Sequence, residues 1–127
     1  MRPAAAALIA ALTAGPARAE RLPLRAYGTT DGLPSTSVLR IRADSRGLLW
    51  FATRDGLARF DGARFTVYGV EQGLPVPTVN DVIEARRGGY WIATNGGGVC
   101  WLDPAAPFAA REGTTDRLFR CDRVGGT

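Results

Sequence analysis

The groups able to do chemistry in this chain are few. Arg54, Asp55 and Asn95 form one set, and Arg40 and Asp81 a second. A guanidinium, a carboxylate and an amide on neighbouring loops can each make directed hydrogen bonds to a small polar ligand or an oligosaccharide. The competing reading, and the favoured one for such residues, is ordinary solvated turn chemistry. Arg40 and Asp81 are opposite charges 41 positions apart. They either meet a ligand together or pair with each other, and the pair is the preferred expectation. Asp55, Asp81 and Glu84 supply carboxylates, but no spacing marks two of them as an acid and a base. The chain has no His. That removes the commonest general base and metal ligand, any Ser-His or Cys-His nucleophile pair, and a phospho-accepting histidine. Cys100 and Cys121 are the only cysteines, too few for a zinc site without His. They are expected as two partly buried free thiols, although export would permit a disulfide. No catalytic, cofactor-binding or metal-binding residue is expected.

The elements that must position these groups follow from a repeat. Gly32-Leu33-Pro34 returns as Gly73-Leu74-Pro75, Val38 as Val79, Arg46-Gly47 as Arg87-Gly88, Trp50 as Trp91, Ala52-Thr53 as Ala93-Thr94 and Gly56 as Gly97, all at an offset of 41. Of the 25 positions from Gly32 to Gly56, 10 are identical in the second copy. Upstream, Tyr27-Gly28 matches Tyr68-Gly69 at the same offset. A fixed period of this size means stacked supersecondary units, each unable to bury its apolar surface alone.

Each unit reads as four short strands. In the first they fall at residues 38–43, 48–53, 57–60 and 64–68, separated by turn clusters at residues 44–47, 55–56 and 61–62. In the second they fall at residues 79–85, 90–94 and 99–102, with a fourth near 118–122, delayed by a Pro/Ala insert at 104–110. Four antiparallel strands in forty-odd residues make the blade of a β-propeller. The expected fold is therefore all-β: two four-stranded antiparallel blades of a larger ring of about seven. Gly47 and Gly88 sit where a hairpin needs positive φ. Pro34 and Pro75 hold the preceding Leu extended as the chain crosses between blades. Trp50 and Trp91 mark one point on the second strand, where a large side chain wedges between blades. Gly32, Pro34, Gly47, Trp50, Gly56 and their counterparts Gly73, Pro75, Gly88, Trp91, Gly97 are thus read as structural.

Strand alternation places the inter-blade loops and the second-to-third-strand loops on one face. Residues 29–35, 54–55, 71–77 and 95–98 lie there, which makes Arg54, Asp55 and Asn95 the ligand-face candidates. The turns at residues 44–47 and 61–62 lie on the other face. Arg40 and Asp81 are on the innermost strands, toward a central channel.

The N-terminus reads as a leader. Met1-Arg2 is basic, residues 4–14 are uncharged and mostly apolar, Gly15-Pro16 breaks the run, and Ala17-Arg18-Ala19 offers small residues at a cleavage site. That is a secretory signal peptide pattern, too short to span a bilayer comfortably. The expected division is 1–19 signal peptide, 20–31 closing outer strand and linker, 32–72 the first blade, and 73–127 the second blade with the start of a crossing to a third. Within residues 20–31, residues 22–27 are expected as the outermost strand of the last blade of the ring. The chain carries 16 basic and 12 acidic residues. Without Arg2 and Arg18 the basic count is 14, a near-balance that gives no nucleic-acid footprint.

Gly-Leu-Pro, a Val/Ile strand, an Asp/Gly turn, Leu49-Trp50-Phe51-Ala52-Thr53 and Asp55-Gly56-Leu57-Ala58-Arg59-Phe60-Asp61-Gly62 resemble the two-component regulator propeller repeat. The second copy, from Trp91 to Gly98 and on to Leu102-Asp103, is similar to its Gly-rich variant and departs at Cys100-Trp101. The turn Asp44-Ser45-Arg46-Gly47 before Trp50 also resembles the aspartate-box turn of sialidases, but has one residue too many between Asp and Gly. The propeller resemblance implies the N-terminal fragment of a periplasmic or secreted ligand-sensing region of a histidine kinase or diguanylate cyclase receptor. It implies no catalysis in this segment. The partners it implies are the remaining blades, a small-molecule or oligosaccharide ligand and a possible homodimer, with membrane contact only through segments not in this chain. A secreted propeller lyase or glycosidase and a protein-docking propeller scaffold are the alternatives. Two blades leave apolar faces without a neighbour, so residues 20–127 are not expected to make a stable monomer.

Overall fold

A computed structural model describes residues 15–16, 19, 21–103 and 118–122. The signal-peptide run and its cleavage junction, the insert at 104–110 and the crossing at 124–127 lie at least in part outside those residues. The described chain forms eight strands: β1 (Val38–Ala43), β2 (Leu49–Thr53), β3 (Gly56–Phe60), β4 (Phe65–Tyr68), β5 (Val79–Glu84), β6 (Tyr90–Thr94), β7 (Val99–Leu102) and β8 (Phe119–Asp122). They make two antiparallel meanders, β1-β2-β3-β4 and β5-β6-β7-β8. These are the two four-stranded sheets that the repeat implied. The β1–β2 and β5–β6 turns close through Gly47 at φ 81° and Gly88 at φ 82°, left-handed positions that a Cβ disfavours.

The sheets stack face to face, and period two decides what meets. Trp50, Ala52, Leu57 and Tyr68 of the first sheet are buried against Val82, Tyr90, Ile92, Cys100, Leu102 and Phe119 of the second. Trp50 centres the layer, its ring 4.4 Å from that of Tyr90 and 5.8 Å from that of Tyr68. Leu74, from the connection between sheets, completes the cluster.

One feature, the state of the two cysteines, differs from the sequence reading. Trp91 is not part of the seam between these two sheets. It stands at Trp50's position in its own sheet, which turns it to the far side of the second blade, where it is 48% exposed against 2% for Trp50. Cys100 and Cys121 are not free thiols: β7 and β8 set them directly opposite each other, and they form a disulfide. Residues 21–28 form no strand against these two sheets, and the expected partner of residues 22–27, the last blade of a ring, is not among the described residues. Tyr27 nevertheless packs edge-on against Phe60 and Phe65. Its repeat partner Tyr68 packs the same way against Phe119 at the other end of the molecule. Tyr27 thus takes the place that the last residue of a preceding blade would hold.

The blade-to-blade connections contain short 3₁₀ turns that the sequence reading treated as loop, at Thr29–Asp31 and Val70–Gln72. Each is tied by a side chain three residues along. Gly28 N–H donates to Asp31 Oδ2 at 2.8 Å, and Gly69 N–H donates to Gln72 Oε1 at 2.7 Å. Gly32 and Gly73 end the turns in left-handed conformation. Leu33 and Leu74 are then delivered into the interior, 8% and 2% exposed.

Candidate functional site

The loop face is built from the connections and the β2–β3 and β6–β7 turns, as alternation requires. The Arg54 N–H donates to Ser37 O at 3.2 Å, and Asn95 N–H to Thr78 O at 2.9 Å. The Thr78 hydroxyl donates to Arg54 O at 3.0 Å, joining the first blade's turn to the second blade's connection. Gly97 lies beneath that connection. A Cβ there would stand 2.7 Å from Pro75 Cγ and 2.9 Å from Val76 Cγ2, so close approach, not a positive φ, requires this glycine. The side chains of Arg54, Asp55 and Asn95 are exposed on this framework. They are fixed at the backbone and open to solvent, as ligand contacts or solvated turn residues would both be.

Arg40 and Asp81 face each other across the seam between blades, with Arg40 Nε 3.8 Å from Asp81 Oδ2. The tighter partner is Arg42, whose Nε and Nη2 donate to Asp81 Oδ1 and Oδ2 at 3.1 and 2.9 Å. Both innermost strands carry a register irregularity, between Val38 and Arg40 and between Val79 and Asp81. The simple repeat register could not reveal this two-pronged pair. Hydrogen bonding from Arg42 holds the Asp81 carboxyl below its ordinary pKa, against a smaller opposing effect of burial.

The seam holds a second polar cluster that the sequence reading did not select. Asp44 Oδ1 accepts from the N–H groups of Arg46 and Leu48, both at 2.9 Å, closing its own turn. Oδ2 accepts from Trp50 Nε1 at 2.9 Å and from the Tyr90 hydroxyl at 2.6 Å. One carboxylate therefore fixes a hairpin, orients the central Trp and reaches the next blade. Beside it, Ser45 N–H donates to Glu84 at 2.8 Å, and the Ser45 hydroxyl donates to the same carboxylate. Burial favours the neutral form of Asp44, but the bonds from Tyr90, Trp50, Leu48 and Arg46 outweigh it and lower its pKa. Burial, then the bond to Asp44, pushes the Tyr90 phenol up to about 12. The available signal was the aspartate-box-like turn, set aside for its extra residue. The carboxylate bonds two backbone N–H groups and the indole despite that residue.

Among the described residues no group of three or more His, Cys, Asp or Glu gathers as a metal site. None of their helices is long and apolar enough to cross a membrane. A saturated carboxylate and one bidentate ion pair are arranged to hold two sheets together.

Comparison with known proteins agrees with this geometry. The family model for the two component regulator propeller matches residues 32–55. Histidine kinase P4 of Formosa agariphila is 46% identical over 41 residues, which are 32% of this chain and 3% of that protein. A solved extracellular domain from B. thetaiotaomicron, assigned to a hybrid two component system, superposes with a TM-score of 0.60 at 29% identity. That match covers 76% of this chain and 13% of the solved one, so the chain spans a small part of both relatives. The matched segment runs from the first Gly-Leu-Pro through β1 and β2 to the Arg54-Asp55 turn, and this chain carries the two-component regulator propeller repeat.

Proposed function

We propose that this chain is part of the ligand-sensing propeller of a two-component signalling receptor, exported to the periplasm or cell exterior behind the leader at residues 1–19. It is non-catalytic in this segment. What supports the reading is one observation above others: a chain built of two propeller sheets matches, at 29% identity, an extracellular domain assigned to a hybrid two component system. The match to a histidine kinase over 41 residues points the same way. In this reading the two sheets belong to a ring of about seven blades. A small-molecule or oligosaccharide ligand meets the loop face at Arg54, Asp55 and Asn95, with Arg40 and Asp81 toward the channel.

Two measurements test it. Residues 1–127 fused to alkaline phosphatase should give an enzyme active only after export; an inactive cytoplasmic fusion would count against the leader. In the intact receptor, replacing Arg54, Asp55 and Asn95 together with Ala should abolish the signalling response to an inducing oligosaccharide from a panel of neutral and acidic glycans. An undiminished response would remove the loop face from the proposal.

A further inference from the structure

We propose that Asn95 is a modification site: its side-chain amide is lost through a cyclic imide formed with the Gly96 backbone nitrogen, which places a carboxylate on the loop face. The deprotonated Gly96 nitrogen attacks Asn95 Cγ. The new N–Cγ bond closes a five-membered succinimide, the Cγ–Nδ2 bond breaks, and Nδ2 leaves as ammonia with the proton the backbone gave up. Water then opens the ring at either carbonyl. One opening gives aspartate, and the other gives isoaspartate, with the chain rerouted through Cγ. No oxidant, reductant or enzyme is required. Ring closure asks three things of the fold: a following residue with no side chain to crowd the ring, a backbone N–H not committed to a hydrogen bond, and access for water.

The β6–β7 turn meets all three, and the matching turn of the first blade does not. In the first blade the Thr53 hydroxyl donates to Gly56 O at 2.8 Å and accepts from the Asp55 N–H at 3.2 Å. The second repeat carries one more residue in this turn, so the Thr94 hydroxyl donates instead to Gly98 O at 2.7 Å, four positions on. Gly96 stands where Asp55 stands in the first repeat. Its N–H makes no hydrogen bond to any described residue. Gly96 has no side chain, and the space a Cβ would take is open. Asn95 and Gly96 are both exposed. The chain's other asparagine, Asn80, is exposed too, but precedes Asp81 within β5.

A neighbouring blade leaves this turn open. Arg54 holds the position of Asn95 in the first repeat, and it stays exposed although the second blade's Thr78 bonds its carbonyl. The change converts a neutral donor and acceptor into an acceptor that carries charge, beside whatever ligand the loop face takes. Isoaspartate does more, because it lengthens the backbone between residues 95 and 96. Asn95 is tied on one side by its N–H to Thr78 O at 2.9 Å. Gly97, on the other side, lies so close beneath Pro75 and Val76 that even a Cβ would collide. The extra carbon therefore strains the crossing over Gly97.

Peptide mass spectrometry on the intact receptor, incubated folded in mildly alkaline buffer, tests this. Electron-transfer fragmentation tells aspartate from isoaspartate at position 95. Residue 95 should gain the mass of an NH-to-O exchange progressively, with both products present, while Asn80 keeps its amide. The conversion should accelerate in more alkaline buffer, and Gly96→Ala should slow it. Should Gly96→Ala fail to fold, the products decide the route, because the imide yields isoaspartate and direct hydrolysis of the side chain yields aspartate alone. An amide at position 95 that survives in the folded receptor would overturn the proposal, and its loss in urea alone would show that the turn holds it back. Aspartate without isoaspartate, or Asn80 converting as fast as Asn95, would overturn it as well.

Discussion

Two residues with the same repeat position and the same local sequence do different work. Trp50 is sealed between sheets and donates to Asp44, whereas Trp91 lies half open on an outer face. Trp50→Ala should lose about 3–5 kcal/mol, the cost of emptying a packed aromatic site. Trp91→Ala should lose well under half of that in the monomer, where much of its surface is already in water. Urea unfolding of the two variants side by side measures the contrast, and equal losses would contradict the burial assignment. Tyr90→Phe removes one donor to Asp44 and should cost about 1.5–3 kcal/mol, the range for a bond to a charged group. Asp44→Ala should cost more than Tyr90→Phe, because it strands the Trp50 indole, the Tyr90 hydroxyl and two backbone N–H groups together. The Trp signature was legible in the sequence, since only the strand and its spacing mattered. Its burial was not, because that depends on what covers each face.

At the scale of elements, the turns carried most of the information. Asp44 to Gly47, Asp61-Gly62 and the Gly-Leu-Pro connections bound the strands, and their ends agree with the expected ones to within about a residue, the usual ambiguity of strand limits. The 3₁₀ turns were missed because their signal is a single polar residue three positions after a glycine. The disulfide was missed for a different reason. Pairing of Cys100 with Cys121 depends on where β8 returns after the insert, and no local pattern fixes that register. The bridge joins residues 21 apart in sequence, a loop whose closure contributes about 3 kcal/mol. Reduction, or Cys121→Ser, should lower the urea midpoint of the second blade accordingly. A midpoint unchanged by reductant would show that the β7–β8 pairing holds without the bond. Gly97→Ala should destabilise the Pro75–Val76 crossing over it, whereas Gly47→Ala should act through its positive φ alone.

At the scale of the molecule, the two sheets are joined by an apolar layer and by three acidic groups along one seam, Asp44, Asp81 and Glu84. The apolar layer does not titrate, so the pH dependence of the joint reports its shifted polar groups, Asp44, Asp81 and Tyr90. Asp81 faces Arg42 and Arg40. Asp44 faces Tyr90 and Trp50, with Arg46 in its own turn. Both aspartates have folded-state pKa values below 3.8. A depressed carboxyl contributes stability that is full above the unfolded value, about 3.9, and is lost as pH falls through the folded one. Tyr90 works in the opposite sense. Its phenol is raised to about 12, so its contribution is full below the unfolded value of about 10 and is lost as pH rises toward the folded one. Stability should therefore hold a plateau between about pH 5 and about pH 9 and fall on both sides. The acid limb should flatten in Asp44→Asn combined with Asp81→Asn, and the alkaline limb in Tyr90→Phe. Urea unfolding across pH reads both limbs; because Tyr90 and Asp44 are bonded to each other, each variant also weakens part of the other limb. A double variant that keeps the full acid limb would place the titrating groups elsewhere, outside the Asp44 and Asp81 contacts of the seam.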